Sequence, residues 1–301
     1  MRFLTTTALV ALTATGAMAA DWKEDYQVLK FGILSGENEK DRIARYTPFE
    51  EYLEAELGVE VEIFTAGNYD GVIQAIAADQ IEFAFFGSSS YAAAYTETEG
   101  GVEPLLSRLQ NDGSTGYFSI VVTRCDSGLG DIASLEGKVL AFADPDSTSG
   151  YAVPYFNLAK EVDIPSYFSA TPFSGSHEAG VQGVINGTFD AAATWQTNET
   201  NGVIQRMVSK DMVDEGVVCP IWQSPEITSG PFTARANIPQ ALKDDMKTAV
   251  MNIVEKNPEA FVEMTGGADS TQKGWIEGDH SRYQWIVDMR EWLKNERRNS
   301  G

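Results

Sequence analysis

The sequence predicts an α/β fold of two lobes, with a hinge and a cleft between the lobes. Three observations predict it. Short apolar strands alternate with helical segments, which is typical of sheets covered by helices. The alternation ends and starts again near Phe118. The length of 301 residues suits about two domains of roughly 150 residues, and 43% hydrophobic residues are enough for two cores.

The first lobe is predicted to contain three strands, each followed by a helix. Thr47 and Pro48 suit the N-cap and the first turn of a helix, and Gly58 suits its end. Residues 59–64 alternate with the period of a strand. Strands are therefore expected at 29–34, 59–64 and 83–86, and helices at 46–57, 70–78 and 91–95.

The second lobe repeats this pattern. Strands are expected at 118–123, 137–143, 189–194 and 216–222, a helix at 151–162, and helical structure from Pro239 to the end. Because the chain enters this lobe near Phe118 and leaves it near Gly230, residues 118–230 are assigned to lobe 2, and residues 20–117 with 231–301 to lobe 1. Clefts at the carboxyl ends of strands are where α/β sheets bind ligands.

Residues 1–19 have the order of a secretory signal peptide. Arg2 supplies the positive charge, a short apolar stretch follows, and Ala17-Met18-Ala19 matches a cleavage site, so cleavage is expected after Ala19. No later stretch offers about 18 uninterrupted apolar residues. The sequence therefore predicts an exported protein without direct membrane insertion.

The charge excludes several classes of partner. Asp and Glu number 44 against 22 Lys and Arg, which gives a net charge of −22. This argues against nucleic acid and anionic membranes as partners. The net charge does not exclude a small anion as the ligand, because local dipoles can outweigh a screened net charge.

The two cysteines and two histidines are too few for a disulfide scaffold or a metal centre, so neither metal nor cofactor is expected. Cys125 and Cys219 each end a strand-like run. If those strands are neighbours, an exported chain allows a disulfide between them. Two free buried thiols are the alternative.

Two turns between a strand and a helix are rich in hydroxyls. Ser147, Thr148 and Ser149 follow the strand VLAFA, and Ser88 to Ser90 follow the strand FAFF. Hydroxyls and free N–H groups at a helix N-terminus form an anion site that needs no Lys or Arg. An ordinary helix cap is the alternative at each turn.

Four further side chains have two interpretations each from sequence alone. His177 follows a predicted strand end, where it would donate to an oxyanion or lie on the surface. Tyr69 and Tyr117 suit either the core or the cleft. Trp195, followed by Glu199, would suit an organic cation, and a solvated loop is the alternative.

The sequence resembles the periplasmic phosphonate-binding components of ABC transporters, a family that includes phosphite binders. The resemblance spans essentially the whole mature chain. It rests on eight motifs that occur in this order: FGIL, TPF, NYDG, FFGSSS, GSTGYFS, DPDSTSG, GSHEAG and IWQSPEI. The family implies a type II-like periplasmic binding protein, a monomer that delivers its ligand to a permease and ATPase complex and is no enzyme.

The resemblance also implies a ligand-binding set. Ser147, Thr148 and Ser149 match the phosphonate cradle, and His177 matches a histidine donor. Tyr69 and Tyr117 match two tyrosines that contact the ligand head. We expect the anion to bind lobe 2 first, after which lobe 1 closes and brings Tyr69 with Ser88 to Ser90.

The match departs from the family at the ligand tail. Members that bind aminoalkyl phosphonates hold the ammonium with two carboxylates. One corresponds to Glu199, with altered local spacing, and the other falls near Gly230, where this sequence has none. The expected ligand is 2-aminoethylphosphonate or an alkylphosphonate, and phosphite or a phosphate ester is the alternative, with Trp195 shaping the pocket.

Two other classes of function remain as rivals. A periplasmic hydrolase would use His177 as acid or base, but no partnered nucleophile motif is present. A ferric-ion binder would use the two tyrosines, the histidine and a carboxylate. The hydroxyl cradle favours an oxyanion over both.

Overall fold

The structure is a computed structural model that describes residues 22–267 and 270–299. The signal peptide expected at 1–19 and the cleavage after Ala19 lie outside the described residues. Along the chain the strands are β1 (Val28–Ile33), β2 (Glu60–Thr65), β3 (Phe83–Phe85), β4 (Val102–Gln110), β5 (Gly116–Arg124), β6 (Leu140–Ala141), β7 (Ala191–Asn198), β8 (Asn201–Gly202), β9 (Val218–Gln223), β10 (Ile227–Thr228), β11 (Phe232–Arg235) and β12 (Gln272–Glu277).

The helices alternate with these strands through most of the chain. They are α1 (Glu39–Leu57), α2 (Tyr69–Ala77), α3 (Ser88–Glu97), α4 (Val153–Leu158), α5 (Ile164–Tyr167), α6 (His177–Ile185), α7 (Val203–Ser209), α8 (Gln240–Lys256), α9 (Pro258–Thr265) and α10 (Gln284–Asn299). A π-helical turn, Thr148–Ala152, leads into α4. None of the helices among the described residues combines the length and the apolar character needed to cross a bilayer.

The strands form two sheets, which confirms the predicted α/β fold with two sheets. The first sheet has the order β12-β4-β11-β3-β1-β2, and the second has the order β10-β5-β7-β6, with β8 paired to β7 and β9 to β5. We call the first sheet and its helices the first half, and the second sheet and its helices the second half. Both sheets are mixed, because β1 is parallel to β2 and β3 whereas β5 is antiparallel to β7.

The chain crosses between the halves twice, from β4 to β5 and from β10 to β11. The crossings touch, because the Ser229 N–H donates to the Thr115 carbonyl at 3.0 Å. Gly230 lies in the second crossing, where a Cβ would be 1.9 Å from the carbonyl oxygen of Phe86. Only glycine therefore lets the crossing lie against the end of β3.

Each half has its own apolar core, and the C-terminal helix contacts both halves. Phe31, Phe49 and Phe85 are buried in the first core. Helix α10 packs on α3 of the first half. Its apolar face, with Ile286 and Met289, lies in the core of the second half.

Two sequence predictions of local structure are wrong. Helix α1 begins at Glu39 rather than at Thr47, and Pro48 lies inside it. Asn38 is the real N-cap, because its side chain accepts the Asp41 N–H at 3.0 Å. The segment after Pro239 is not helical throughout, since β12 interrupts it and pairs with β4.

Cys125 and Cys219 are joined by a disulfide, with their Cα atoms 5.0 Å apart. The bond ties together two neighbouring strands, because β5 pairs with β9 through Thr123 and Cys219. The Cys125 N–H also donates to the Val217 carbonyl at 3.0 Å.

Candidate anion-binding site

A cavity of about 210 Å³ lies between the two halves. Leu34 and Gly87 line it from the first half, Ser147 and His177 from the second, and Gly230 from the second crossing. At roughly 30 Å³ per water molecule, the volume corresponds to about seven waters. The cavity therefore suits a small ligand.

Four helices begin at this cavity, two from each half. Tyr69 is the first residue of α2, Gly87 is the N-cap of α3, Thr148 begins the π-helical turn, and His177 is the first residue of α6. All four residues line the cavity. Each N-terminus carries about half a positive charge. At least one N–H of each first turn is already bonded to a side chain, Tyr69 to Asp144 and the others to hydroxyls, and the remaining N–H groups are free of intrahelical partners. This arrangement favours an anion.

The turn around Ser147 is both a helix cap and a wall of the cavity. The Ser147 hydroxyl accepts the Gly150 N–H at 3.0 Å and lies 3.3 Å from Nε2 of His177. A Cβ on Gly150 would be 2.9 Å from Cε1 of His177 and 2.5 Å from the Cβ of Ala143. Glycine at this position therefore lets the imidazole approach the turn.

His177 is a buried neutral donor rather than a surface residue. Its side chain is 5% exposed, and burial lowers its pKa to about 4. The imidazole is therefore neutral near pH 7 and carries a single N–H. Its Nδ1 lies 3.1 Å from the hydroxyl of the buried Thr194, and its Nε2 faces Ser147.

The two tyrosines complete the hydroxyl-rich side of the cavity. Tyr69 and Tyr117 both line it, the first from α2 and the second from β5. Burial raises the pKa of both phenols, so each keeps its proton at neutral pH. Hydrogen bonds offset part of this rise. The bond to Ser147 lowers the pKa of Tyr69, and the bonds to Thr148 and Ser149 lower the pKa of Tyr117.

Ser88 and Ser90 do not line the cavity. The Ser88 hydroxyl donates to the Thr228 carbonyl, and the Ser90 hydroxyl donates to the Asp146 carbonyl at 3.0 Å. They belong to a contact between the halves, in which the Ser89 N–H donates to the Thr148 hydroxyl at 2.8 Å. Their hydroxyls therefore bond across the two halves and do not face the cavity.

Trp195 and Glu199, the two residues predicted to contact the ligand tail, lie in different places in the structure. Trp195 lines the cavity. Glu199 is exposed between β7 and β8, outside the lining, because strand β7 extends to Asn198 and carries the turn into solvent. Its position gives no contact to a ligand in this cavity.

Sequence reasoning missed the charged residues of the cavity. Three arginines and two glutamates line it: Arg45, Arg108, Arg206, Glu37 and Glu178. Arg45 lies in the part of α1 that was expected to precede the helix, and Arg206 lies on the unpredicted α7. No local pattern identified them, because they come from four separate segments of the chain.

Glu37 and Glu178 both form ion pairs with basic side chains. Although burial opposes ionisation, Arg45, Arg206 and Lys210 hold the pKa of Glu37 below its ordinary value. Lys210 lies 3.1 Å from Glu178 and 3.3 Å from Glu37. Because Glu178 is on α6 and Glu37 follows β1, this network joins the two halves at the rim of the cavity.

Comparison with known proteins places this geometry in a family. Residues 31–283 match the family described as "ABC transporter, phosphonate, periplasmic substrate-binding protein". The chain is 34% identical over 254 residues to the phosphonates-binding periplasmic protein of Escherichia coli strain K12, covering 82% of this chain and 72% of that protein.

Solved structures show the same fold. The binding protein component of an ABC phosphonate transporter from Pseudomonas aeruginosa superimposes with a TM-score of 0.78 at 22% identity, over 89% of this chain and 86% of that one. PhnD1 from Prochlorococcus marinus, in complex with methylphosphonate, gives a TM-score of 0.77 at 21% identity, over 89% and 98% of the chains. The chain belongs to the family of periplasmic substrate-binding proteins of phosphonate ABC transporters.

Proposed function

We propose that this protein captures a phosphonate in the cavity between its halves and presents it to the permease and ATPase complex of an ABC importer. The observation that carries the proposal is the convergence of four helix N-termini on one small cavity. Hydroxyls and a neutral imidazole line the same wall. The named relatives are phosphonate-binding proteins, which supports the same ligand class.

The phosphonate head binds to the wall formed by Ser147, Thr148 and Ser149. The Thr194 hydroxyl donates a hydrogen bond to Nδ1 of His177, so the single proton of the neutral imidazole is on Nε2. Nε2–H then donates to a phosphonate oxygen. Each hydrogen bond to the charged head is worth roughly 1.5–3 kcal/mol, so five of them supply about 7.5–15 kcal/mol against an association cost of about 4–15 kcal/mol.

Tyr69 and Tyr117 donate to the head from the first half and from the crossing. The two halves act as the two lobes, with residues 118–230 as one lobe and residues 20–117 with 231–301 as the other. The lobes turn about the two crossings, where few residues absorb the backbone change. The mature protein begins after Ala19 and works as a monomer in the periplasm.

The site is suited to binding an oxyanion rather than to catalysing hydrolysis or binding ferric iron. The neutral His177 is in contact with Ser147 and Thr194, and no activated nucleophile faces it within the described residues. Tyr69 and Tyr117 keep their protons, whereas ferric iron would require phenolates. Among the described residues, no three His, Cys, Asp or Glu side chains come together to hold a metal ion.

The test is calorimetry and thermal shift on the mature protein with methylphosphonate, 2-aminoethylphosphonate, phosphite, phosphate and sulfate. At least one phosphonate is expected to bind one-to-one with micromolar or tighter affinity and to raise the unfolding temperature. Ser147→Ala is expected to weaken this binding roughly tenfold or more, because it removes one hydrogen bond to the head.

Ser166→Ala is the matched control, because Ser166 is exposed and its hydroxyl bonds only within α5 and its cap. It should bind like the wild type. The proposal is wrong if sulfate or phosphate binds and the phosphonates do not, or if Ser147→Ala binds phosphonates unchanged.

A further inference from the structure

The geometry points to a ligand that carries a carboxylate in addition to its phosphonate. This inference rests on the proposed function and specifies the substituent on the phosphonate. Its basis is a cluster of arginines on the wall of the cavity, which we call the arginine wall: Arg45, Arg108 and Arg206. An ammonium-bearing tail would meet positive charge at this wall, whereas a carboxylate would be attracted.

The positive charge of the arginine wall exceeds the negative charge beside it. Glu37 and Glu178 are the carboxylates that line the cavity among the described residues. Glu37 binds the guanidinium of Arg45 through Nε at 3.0 Å and also lies 3.3 Å from Lys210. Glu178 binds Lys210 and accepts the Asn38 N–H at 3.0 Å. Glu37 also interacts electrostatically with Arg206, so its one negative charge is shared among Arg45, Arg206 and Lys210.

Two members of the wall, Arg206 and Arg108, lie at the cavity without a carboxylate in ion-pair contact among the described residues. Nη2 of Arg206 donates to the Thr265 carbonyl at 3.2 Å, and its Nε is enclosed without a hydrogen-bond partner. Burial, followed by the charge of Arg45, lowers the pKa of Arg206 to about 10, which still leaves it charged at neutral pH.

The orientation of Arg206 is fixed by its surroundings. Its guanidinium lies over the ring of Trp195, 4.7 Å from the ring centre. On another side Gly266 covers it so closely that a Cβ there would be 2.8 Å from Nη2. Because Nη2 donates to Thr265 and Nε is enclosed, a carboxylate of the ligand would approach the part of the guanidinium that faces the cavity.

Size and charge favour a carboxylate over a second phosphorus group. The cavity of about 210 Å³ suits a molecule of roughly eight non-hydrogen atoms, which is the size of phosphonoacetate. The positive charge of Arg108 acts at both ends of the cavity. It lowers the pKa of Tyr117 at the head and the pKa of Arg206 at the wall. A single additional negative charge at the wall compensates Arg206, and a bisphosphonate would add more charge and more volume.

The experiment compares dissociation constants for methylphosphonate, 2-aminoethylphosphonate, phosphonoacetate, 3-phosphonopropionate and methylenebisphosphonate. The wild-type protein is expected to bind one of the two phosphonocarboxylates at least tenfold more tightly than methylphosphonate. In Arg206→Gln this ratio of affinities should fall to about one, and in Arg206→Lys it should fall part of the way. Arg298→Gln, at an exposed arginine near the end of α10, should keep the wild-type ratio.

The outcomes separate this inference from the proposed function. If methylphosphonate or 2-aminoethylphosphonate binds and the phosphonocarboxylates bind no better, the carboxylate inference is overturned while phosphonate capture stands. Tighter binding of the bisphosphonate, or an unchanged ratio in Arg206→Gln, overturns it as well. If no phosphonate binds the wild type, both fail together.

Discussion

The imidazole of His177 illustrates how burial determines what a side chain contributes. In solution this group would exchange protons near neutral pH, but between Ser147 and Thr194 its pKa falls to about 4. It therefore contributes one directed N–H and no charge. In the proposed head site the helix N-termini supply positive potential and do not titrate, so the proposal does not require a protonated histidine.

A first prediction concerns the partner that fixes this N–H. Thr194→Val removes the hydroxyl that lies 3.1 Å from Nδ1 and that, in the proposed site, holds the imidazole proton on Nε2. We expect methylphosphonate affinity to fall roughly tenfold, because one hydrogen bond to the head is lost or misdirected. Calorimetry at neutral pH measures the change.

Thr123→Val is the matched control for Thr194→Val. Thr123 is also buried in a strand, but its hydroxyl donates to the Leu129 carbonyl at 3.1 Å rather than to a cavity residue. If both variants lose the same affinity, the effect is general destabilisation and the assigned role of Thr194 is incorrect.

A second prediction concerns pH and stability. The pKa of His177 is about 4 in the folded chain against an ordinary value of 6.5. Below pH 6.5 the unfolded chain takes up a proton that the folded chain does not, so the free energy of unfolding falls as the pH is lowered towards 4. Above pH 6.5 the contribution of His177 to the free energy of unfolding does not change with pH. Below pH 4 this free energy is lower by about 3 kcal/mol.

Urea unfolding of the wild type and of His177→Asn across this window measures the effect. The variant has no group with a depressed pKa at this position, so its stability should fall less steeply with decreasing pH. Parallel pH profiles for the two proteins would show that the imidazole is not buried as described.

At the scale of elements, the strand-to-helix turns were predictable and the long-range partners were not. The turns at Tyr69, Ser147 and His177 each have a local signature, a strand followed by a cap residue, and the structure brings all three to one cavity. Trp195 was also placed near the ligand from its position after a strand. These inferences depend on neighbours in sequence, which the chain displays directly.

The missed elements depend on distant partners. Strand β4 contains Pro104, and it is held by pairing with β11 and β12, more than one hundred residues away. Helix α1 begins seven residues before Tyr46, in a charged stretch that showed no apolar periodicity. The arginine wall was missed for the same reason, since Arg45, Arg108 and Arg206 become neighbours only when both sheets have formed.

The third prediction concerns the disulfide between β5 and β9. Cys125 and Cys219 are 94 residues apart in sequence, so the bond closes a long loop in the unfolded chain. In the chain-entropy account, removing it with a Cys125→Ser/Cys219→Ser double variant lowers the free energy of unfolding by about 4 kcal/mol. Chemical denaturation of oxidised wild type and of the double variant measures the difference.

Dithiothreitol supplies the matched control for the disulfide. The reductant should lower the stability of the wild type and leave the double variant unchanged. Equal stability of the oxidised wild type and the double variant would contradict a stabilising role for the bond.

At the scale of the whole molecule, polar contacts join the two halves in addition to the apolar packing of α10. Arg290 on α10 lies 2.8 Å from the Ser89 hydroxyl and 2.7 Å from Asp146. Lys210 joins Glu178 of the second half to Glu37 and Asp41 of the first. Such contacts can break and re-form at modest cost, which suits a cleft that must open and close.

The fourth prediction follows from the position of Lys210. Lys210→Met removes the cation between the halves, so the closed arrangement becomes less stable and the ligand dissociates faster. We expect phosphonate affinity to fall roughly fivefold, corresponding to about 1 kcal/mol. Stopped-flow dissociation rates at low and high salt measure it, and the variant should be less sensitive to salt than the wild type.

Lys247→Met is the control for Lys210→Met. Lys247 also forms an ion pair, with Glu277 at 2.8 Å, but both residues belong to the first half. It should leave the dissociation rate unchanged. A faster rate in both variants, or in neither, would mean that the Lys210 network does not hold the cleft closed.

The proposed function requires that the wall of Ser147, Thr148, Ser149 and His177 hold a phosphonate head. The most direct measurement is a crystal structure of the mature protein grown with methylphosphonate. We predict phosphonate oxygens within hydrogen-bond distance of the three hydroxyl residues and of Nε2 of His177, with the hydroxyls of Tyr69 and Tyr117 beside them. A phosphonate bound elsewhere in the cleft, or a cavity filled only by water at saturating ligand, would contradict it.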